Sequence, residues 1–131
     1  MKELRVIVAG GSDFDDFPLL MNKCNEIIVE ATKEDNMIDK IRIVSGGARG
    51  ADKLGEQYAQ IAHYDISRFP AAWDTYGKSA GYRRNVEMAK FASEDGNLGI
   101  LIAFWDNKSR GTKHMIDLAK RYELEVNVVN Y

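Results

Sequence analysis

Short apolar runs alternating with helical periodicity constrain this chain more than anything else in its sequence. Residues 4–9, 41–44, 65–69, 98–104 and 126–129 read as strands. The first is apolar throughout except for Arg5, and the fourth is the most apolar run in the chain, as expected of strands covered on both faces. After the first strand, Asp15, Asp16 and Pro18 signal a helix start, and Phe17, Leu20, Met21, Cys24, Ile27, Ile28 and Ala31 recur at helical spacing. Segments 53–63, 81–93 and 112–122 read as three further helices. Ala51, Leu54, Tyr58, Ala59, Ile61 and Ala62 mark the inner face of one, and Met115, Leu118, Ala119 and Tyr122 that of another. Residues 33–39 read as a polar connection and 71–80 as the longest irregular stretch. Strands joined through helices demand right-handed crossovers. The expected fold is a three-layer, Rossmann-like α/β sandwich with about five parallel strands in the order 3-2-1-4-5.

Composition narrows the class. A chain of 131 residues is long enough for one domain with a real core, so residues 1–131 are expected to form a single unit. The formal net charge of −2 gives no global footprint for nucleic acid. One cysteine, Cys24, excludes an internal disulfide and a multi-cysteine zinc site. His63 and His114 have no metal-ligand partner at useful spacing, and no metal is expected. Residues 1–4 run directly into a strand without the apolar core of a signal peptide, and no run approaches a membrane span. A cytoplasmic protein without membrane contact is the expectation.

In doubly wound sheets, ligands bind beyond the carboxyl ends of the strands. Four loops leave that edge, and nearly all the glycine, tryptophan and hydroxyl-rich sequence lies in them. The first carries Gly10, Gly11 and Ser12, and the second carries Gly46, Gly47, Ala48, Arg49, Gly50 and Asp52. The third runs from Trp73 to Asn85, and the fourth from Trp105 through Ser109, Gly111 and Thr112. The connections at the opposite edge are charged and featureless. Glycines at a strand-to-helix turn let a backbone approach a ligand, and the first amides of the next helix favour an anion. Gly46–Gly50 therefore reads as a phosphate or ribose contact, although a purely structural turn has the same composition. Asp52 suits either a ribose hydroxyl or the cap of its own helix. Ser109–Thr112 suits a second phosphate or carboxylate. Trp73, Tyr76, Tyr82 and Trp105 are candidates for stacking a base. Of the adjacent Arg83 and Arg84, one faces the ligand edge and the other is placed to pair with Glu87.

Four motifs, in order, resemble the YspA-type SLOG family. They are Val-Ala-Gly-Gly-Ser at 8–12, Gly-Gly-Ala-Arg-Gly-Ala-Asp at 46–52, Ala-Gly-Tyr-Arg-Arg-Asn at 80–85 and Phe-Trp-Asp-Asn-Lys-Ser-Arg-Gly-Thr at 104–112. That family, common in bacteria and phages, belongs to the SLOG superfamily, which also holds the Lonely Guy phosphoribohydrolases and the DNA-processing protein A family. The resemblance implies a Rossmann-like fold that binds a nucleotide or nucleotide-derived ligand, related to ADP-ribose, NAD or a nucleoside monophosphate. Two departures stand out. Asp13 occupies the place where members often carry an arginine. Against the Lonely Guy motifs, Arg84 falls at their arginine, Asn85 at their lysine and Met115 at the glutamate that assists cleavage. A thioether cannot serve as acid or base. Asp52, Asp74 and Asp106 are the carboxylates left as substitutes.

Three functions follow as expectations. The first is a module that binds or senses a nucleotide derivative. The second is a hydrolase of a nucleotide N-glycosidic or phosphoester bond, with Arg84 on phosphate. The third, disfavoured by the acidic charge, is single-stranded DNA binding through Arg83, Arg84, Lys108, Arg110 and Lys113. No further cofactor is implied. The superfamily's habit of pairing leaves a homodimer open.

Overall fold

A computed structural model of the chain describes residues 2–131; Met1 lies outside the described residues. Strands β1 (Lys2–Gly10), β2 (Ile38–Ser45), β3 (Asp65–Arg68), β4 (Leu98–Trp105) and β5 (Glu125–Asn130) form one sheet in the order β3-β2-β1-β4-β5. Every pairing is parallel. Between the strands run α1 (Phe17–Glu34), α2 (Ala51–Ala62), the single-turn α3 (Trp73–Tyr76), α4 (Ala80–Ala92) and α5 (Arg110–Arg121). The topology is the three-layer α/β arrangement expected from the alternation.

Period-two geometry divides each strand between two cores. Leu4, Val6 and Val8 of β1, with Ile100, Ile102 and Phe104 of β4, pack against Leu20, Cys24 and Ile28 of α1 and Tyr58 and Ala59 of α2. Ile7 and Ala9, with Leu101 and Ala103, meet Met88, Ala89 and Ala92 of α4 and Met115, Leu118 and Ala119 of α5. Arg5, the one charge in the first run, sits at the far end of this second face. Its guanidinium lies 3.9 Å from the Phe91 ring centroid and bonds Glu3, Glu94 and the Phe91 carbonyl. Among the described residues no helix is long and apolar enough to cross a membrane.

The structure corrects four expectations. The connection at 33–39 is shorter, because α1 continues to Glu34 and β2 begins at Ile38. The stretch at 71–80 is not irregular throughout, since α3 and a 3-10 turn at Gly77–Ser79 occupy most of it. Ile61 is 55% exposed and does not belong to the inner face of α2. Buried Gly55 and Glu56 are there instead. Arg83 does not pair with Glu87; it lies over the Tyr76 ring and donates to Ser79.

Local chemistry sets the helix starts that matter for the site. The Asp16 side chain accepts from the Leu19 amide at 3.1 Å and begins α1. Ser109 does the same for α5 through Thr112. Helix α2 has no side-chain cap. Its first amide, that of Ala51, donates instead to the Gly11 carbonyl at 3.2 Å. That seating requires Gly50, whose φ is +80° and whose place would put a Cβ 2.2 Å from the same carbonyl. The second loop is thereby docked onto the first.

Candidate functional site

Strand order reverses beside β1. The chain leaves β1 toward α1 on one face and leaves β4 toward α5 on the other, which opens a crevice at the carboxyl end of the sheet. A cavity of about 340 Å³ lies there. It is lined by Gly10 and Ser12 from the first loop, Ala48 and Asp52 from the second, and Trp73, Arg84 and Asn85 from the third. Ser109, Gly111 and Thr112 line it from the fourth. All four loops singled out in the sequence contribute to this one cavity. Met88 and Met115, both nearly fully buried, contribute apolar lining.

Six of the anticipated residues lie elsewhere. Gly11 and Gly50 form the backbone crossing between the first two loops. Gly46, although buried, lies beneath Arg84 and Asp52. Its missing side chain is what lets them approach, since a Cβ there would stand 2.6 Å from Arg84 Nη1 and 2.8 Å from Asp52 Oδ2. Gly47 turns at φ +75° with open space around it. Arg49 is exposed and makes no hydrogen bond or ion pair among the described residues. Trp105 does not line the cavity; it packs against the second core, and its indole N–H donates to the Ser109 carbonyl at 3.0 Å, bracing the fourth loop.

The second loop differs most from the simple phosphate-cradle reading. The Gly47 amide donates to Ser45 Oγ at 3.0 Å, and the Ala48 amide donates to Asp52 Oδ2 at 3.2 Å. The anion held by this turn is the protein's own carboxylate. Asp52 is only 6% exposed, and burial pushes its carboxyl up to about 6. The Ala48 amide and the charges of Arg84 and Lys53 oppose that rise, while Glu56 adds to it. Beneath the turn, Ser45 Oγ donates to Glu56 at 2.7 Å and Arg68 donates to the same carboxylate at 3.0 Å. Burial pushes Glu56 upward too, but those two bonds together with the charges of Lys53 and Arg68 outweigh it and hold the group below the ordinary range.

The start of α5 is more open. Ser109 Oγ lies 3.1 Å from Thr112 Oγ1, and the Arg110 and Gly111 amides have no hydrogen-bond partner among the described residues. Opposite, Arg84 donates to the Gly46 carbonyl at 2.5 Å and, through Nε, to Asn85 Oδ1 at 3.1 Å. Asn85 Nδ2 continues the chain to the Gly111 carbonyl at 3.4 Å and to His114 Nδ1 at 3.2 Å. Trp73 rests its ring edge over Gly81 and stays 57% exposed at the mouth, with Tyr82 beside it.

Of the three candidate carboxylates, only Asp52 lines the cavity. Asp74 is exposed on α3. Asp106 accepts from the Lys108 and Ser109 amides at 2.8 Å each, bonds that lower its pKa and shape the loop before α5. Sequence reasoning missed Lys78, Met88 and the contacts of His114. Met88 was detectable, being three residues beyond Asn85 on one helical face. Lys78 follows from the unexpected folding of residues 73–79.

Sheet order and crevice define an α/β protein of the doubly wound type. Residues 4–76 match the YspA, cpYpsA-related SLOG family, and the chain belongs to that family. It is also 32% identical over 89 residues to the Gene 61 protein of Mycobacterium phage D29, an alignment spanning 64% of this chain and 67% of the phage protein. No solved structure matches.

Proposed function

We propose that the chain binds a nucleotide or nucleotide-derived ligand in the cavity at the carboxyl edge of the sheet, as a binding or sensing module. The observation that carries this reading is the convergence of all four loops on one cavity that combines cations, open amides and aromatic rings. The free amides and hydroxyls at the start of α5, with Arg84 and Lys78, suit a phosphate. Buried Asp52 suits a sugar hydroxyl, and Trp73 and Tyr82 bring aromatic rings to the mouth for a base. Family membership supports the same class of ligand. The volume stands at the lower end of the range of about 300–1,000 Å³ usual for small-ligand sites, which favours a mononucleotide or one half of a dinucleotide. Calorimetry against AMP, ADP-ribose and NAD tests this. Binding of at least one is expected, weakened at least ~10-fold by Arg84→Ala because a charge-assisted bond is worth about 1.5–3 kcal/mol. Absence of binding to all of them removes the reading.

One observation favours a second reading, hydrolysis of a nucleotide. Asp52 is a buried carboxyl on the cavity wall whose pKa of about 6 suits proton transfer near neutral pH. Asp52→Asn is then expected to retain ligand and lose product formation. Product release that survives this substitution sinks the hydrolase.

A further inference from the structure

The hydrogen-bond chain at the back of the cavity dictates the protonation of a histidine outside the cavity lining. Arg84 Nε–H only donates, and the Gly111 carbonyl only accepts. Asn85 lies between them, nine-tenths buried, and these two partners permit one orientation of its amide: Oδ1 toward Arg84 and Nδ2 toward Gly111. The second hydrogen of Nδ2 is then aimed at His114 Nδ1, 3.2 Å away. Nδ1 must accept, so the ring is neutral with its proton on Nε2.

We propose that His114 is a positioning residue, which in its Nε2–H form locks the Asn85 amide and through it holds the Arg84 guanidinium against Gly46. Protonation would place an N–H on Nδ1, facing another donor. The amide would then have to turn. Turned, it offers Oδ1 to His114 but Nδ2 to Arg84 Nε, and it abandons the Gly111 carbonyl. A proton on His114 therefore releases Arg84 and loosens the start of α5 together. The surroundings favour the neutral ring. From α4, Tyr82 packs edge-on against it with centroids 4.5 Å apart, and Asn85 donates to it. On its own helix, Arg121 disfavours the cation and Asp117 favours it. Burial is the largest influence and holds the imidazole below its ordinary range.

The consequence for ligand binding rests on the nucleotide reading of the cavity, whereas the hydrogen-bond chain stands without it. Nitrogen-15 NMR of the imidazoles tests the chain, with His63→Gln used to assign the two histidines. At neutral pH the Nε2–H tautomer is expected for His114. In an Asp52→Asn background, which removes the other titrating neighbour of the guanidinium, the Arg84 Nε–H resonance is expected to step with the same midpoint as His114. His114→Gln keeps an acceptor toward Asn85 but cannot take up the proton, and the step is expected to vanish. An Nδ1–H tautomer at neutral pH, or a step that persists in His114→Gln, overturns the proposal. Failure of the nucleotide reading would show instead as an unliganded wild-type chain in calorimetry, with these resonances unaffected.

Discussion

Asp52 combines two demands that conflict energetically. Its carboxylate satisfies the Ala48 amide, and its burial opposes the charge that makes it a good acceptor. The folded chain holds this proton to about pH 6, above the ordinary value of 3.8. A folded value above the unfolded one gives stability that is fully present below about pH 4 and lost as pH rises through about 6. The difference of roughly two units corresponds to about 3 kcal/mol. Asp52→Asn keeps an oxygen for the Ala48 amide and removes the charge. Urea denaturation is expected to find this variant more stable than wild type by up to about 3 kcal/mol at pH 8, and little changed at pH 4. A difference independent of pH would contradict the assignment. From the sequence, Asp52 was open between sugar ligand and helix cap. Its bond to Ala48 arises from a turn geometry that spacing alone cannot define, and its burial depends on α4 bringing Arg84 over Gly46.

At the scale of elements, the start of α2 depends on its neighbour loop. A helix without a side-chain cap leaves its first amides exposed or borrowed. Here the Gly11 carbonyl accepts from Ala51, and Gly50 makes the approach possible. Gly50→Ala would place a methyl group 2.2 Å from that carbonyl at a φ of +80°. The expected cost is about 3 kcal/mol, the upper range for a side chain forced into glycine-only backbone, read as a lower urea midpoint. Loss of this stability should accompany displacement of Ser12 from the cavity wall. The elements themselves were legible: short, largely apolar runs marked the strands, and helical spacing marked α1, α2 and α5. The error at Ile61 has a simple cause. Ile61 falls in line with exposed Lys53 and Gln57 at four-residue spacing on the outer side of α2, while Tyr58, Ala59 and Ala62 face the core. Residues 73–79 defeated the pattern because none of them is buried, so no apolar periodicity exists to be read. Trp105 resembled a stacking ring in sequence, yet its ring packs on the second core and its indole N–H is taken by the Ser109 carbonyl.

Across the whole molecule, topology followed from the order of elements, because parallel strands with right-handed crossovers leave few arrangements. That order placed four loops on one edge, and the cavity was legible to that extent. Its division between residues that line it and residues that brace it was not, because bracing depends on contacts between loops distant in sequence. Gly11 against Ala51, and Asn85 against Gly111 and His114, are such contacts.

The carboxylate seated in the second turn has a further consequence for how the molecule would exchange heat and protons with its surroundings. A phosphate that settles against the Ala48 amide meets Asp52 already there, and two anions cannot share one donor in a dry site. Association at that turn then draws a proton from the buffer. With the phosphate seated there, the apparent enthalpy of binding AMP at pH 7 would differ between two buffers of unlike ionisation heat, and the part of that difference due to Asp52 would disappear in Asp52→Asn. Equal buffer dependence in both chains is the outcome expected of the phosphate site at the start of α5, which leaves Asp52 in its place.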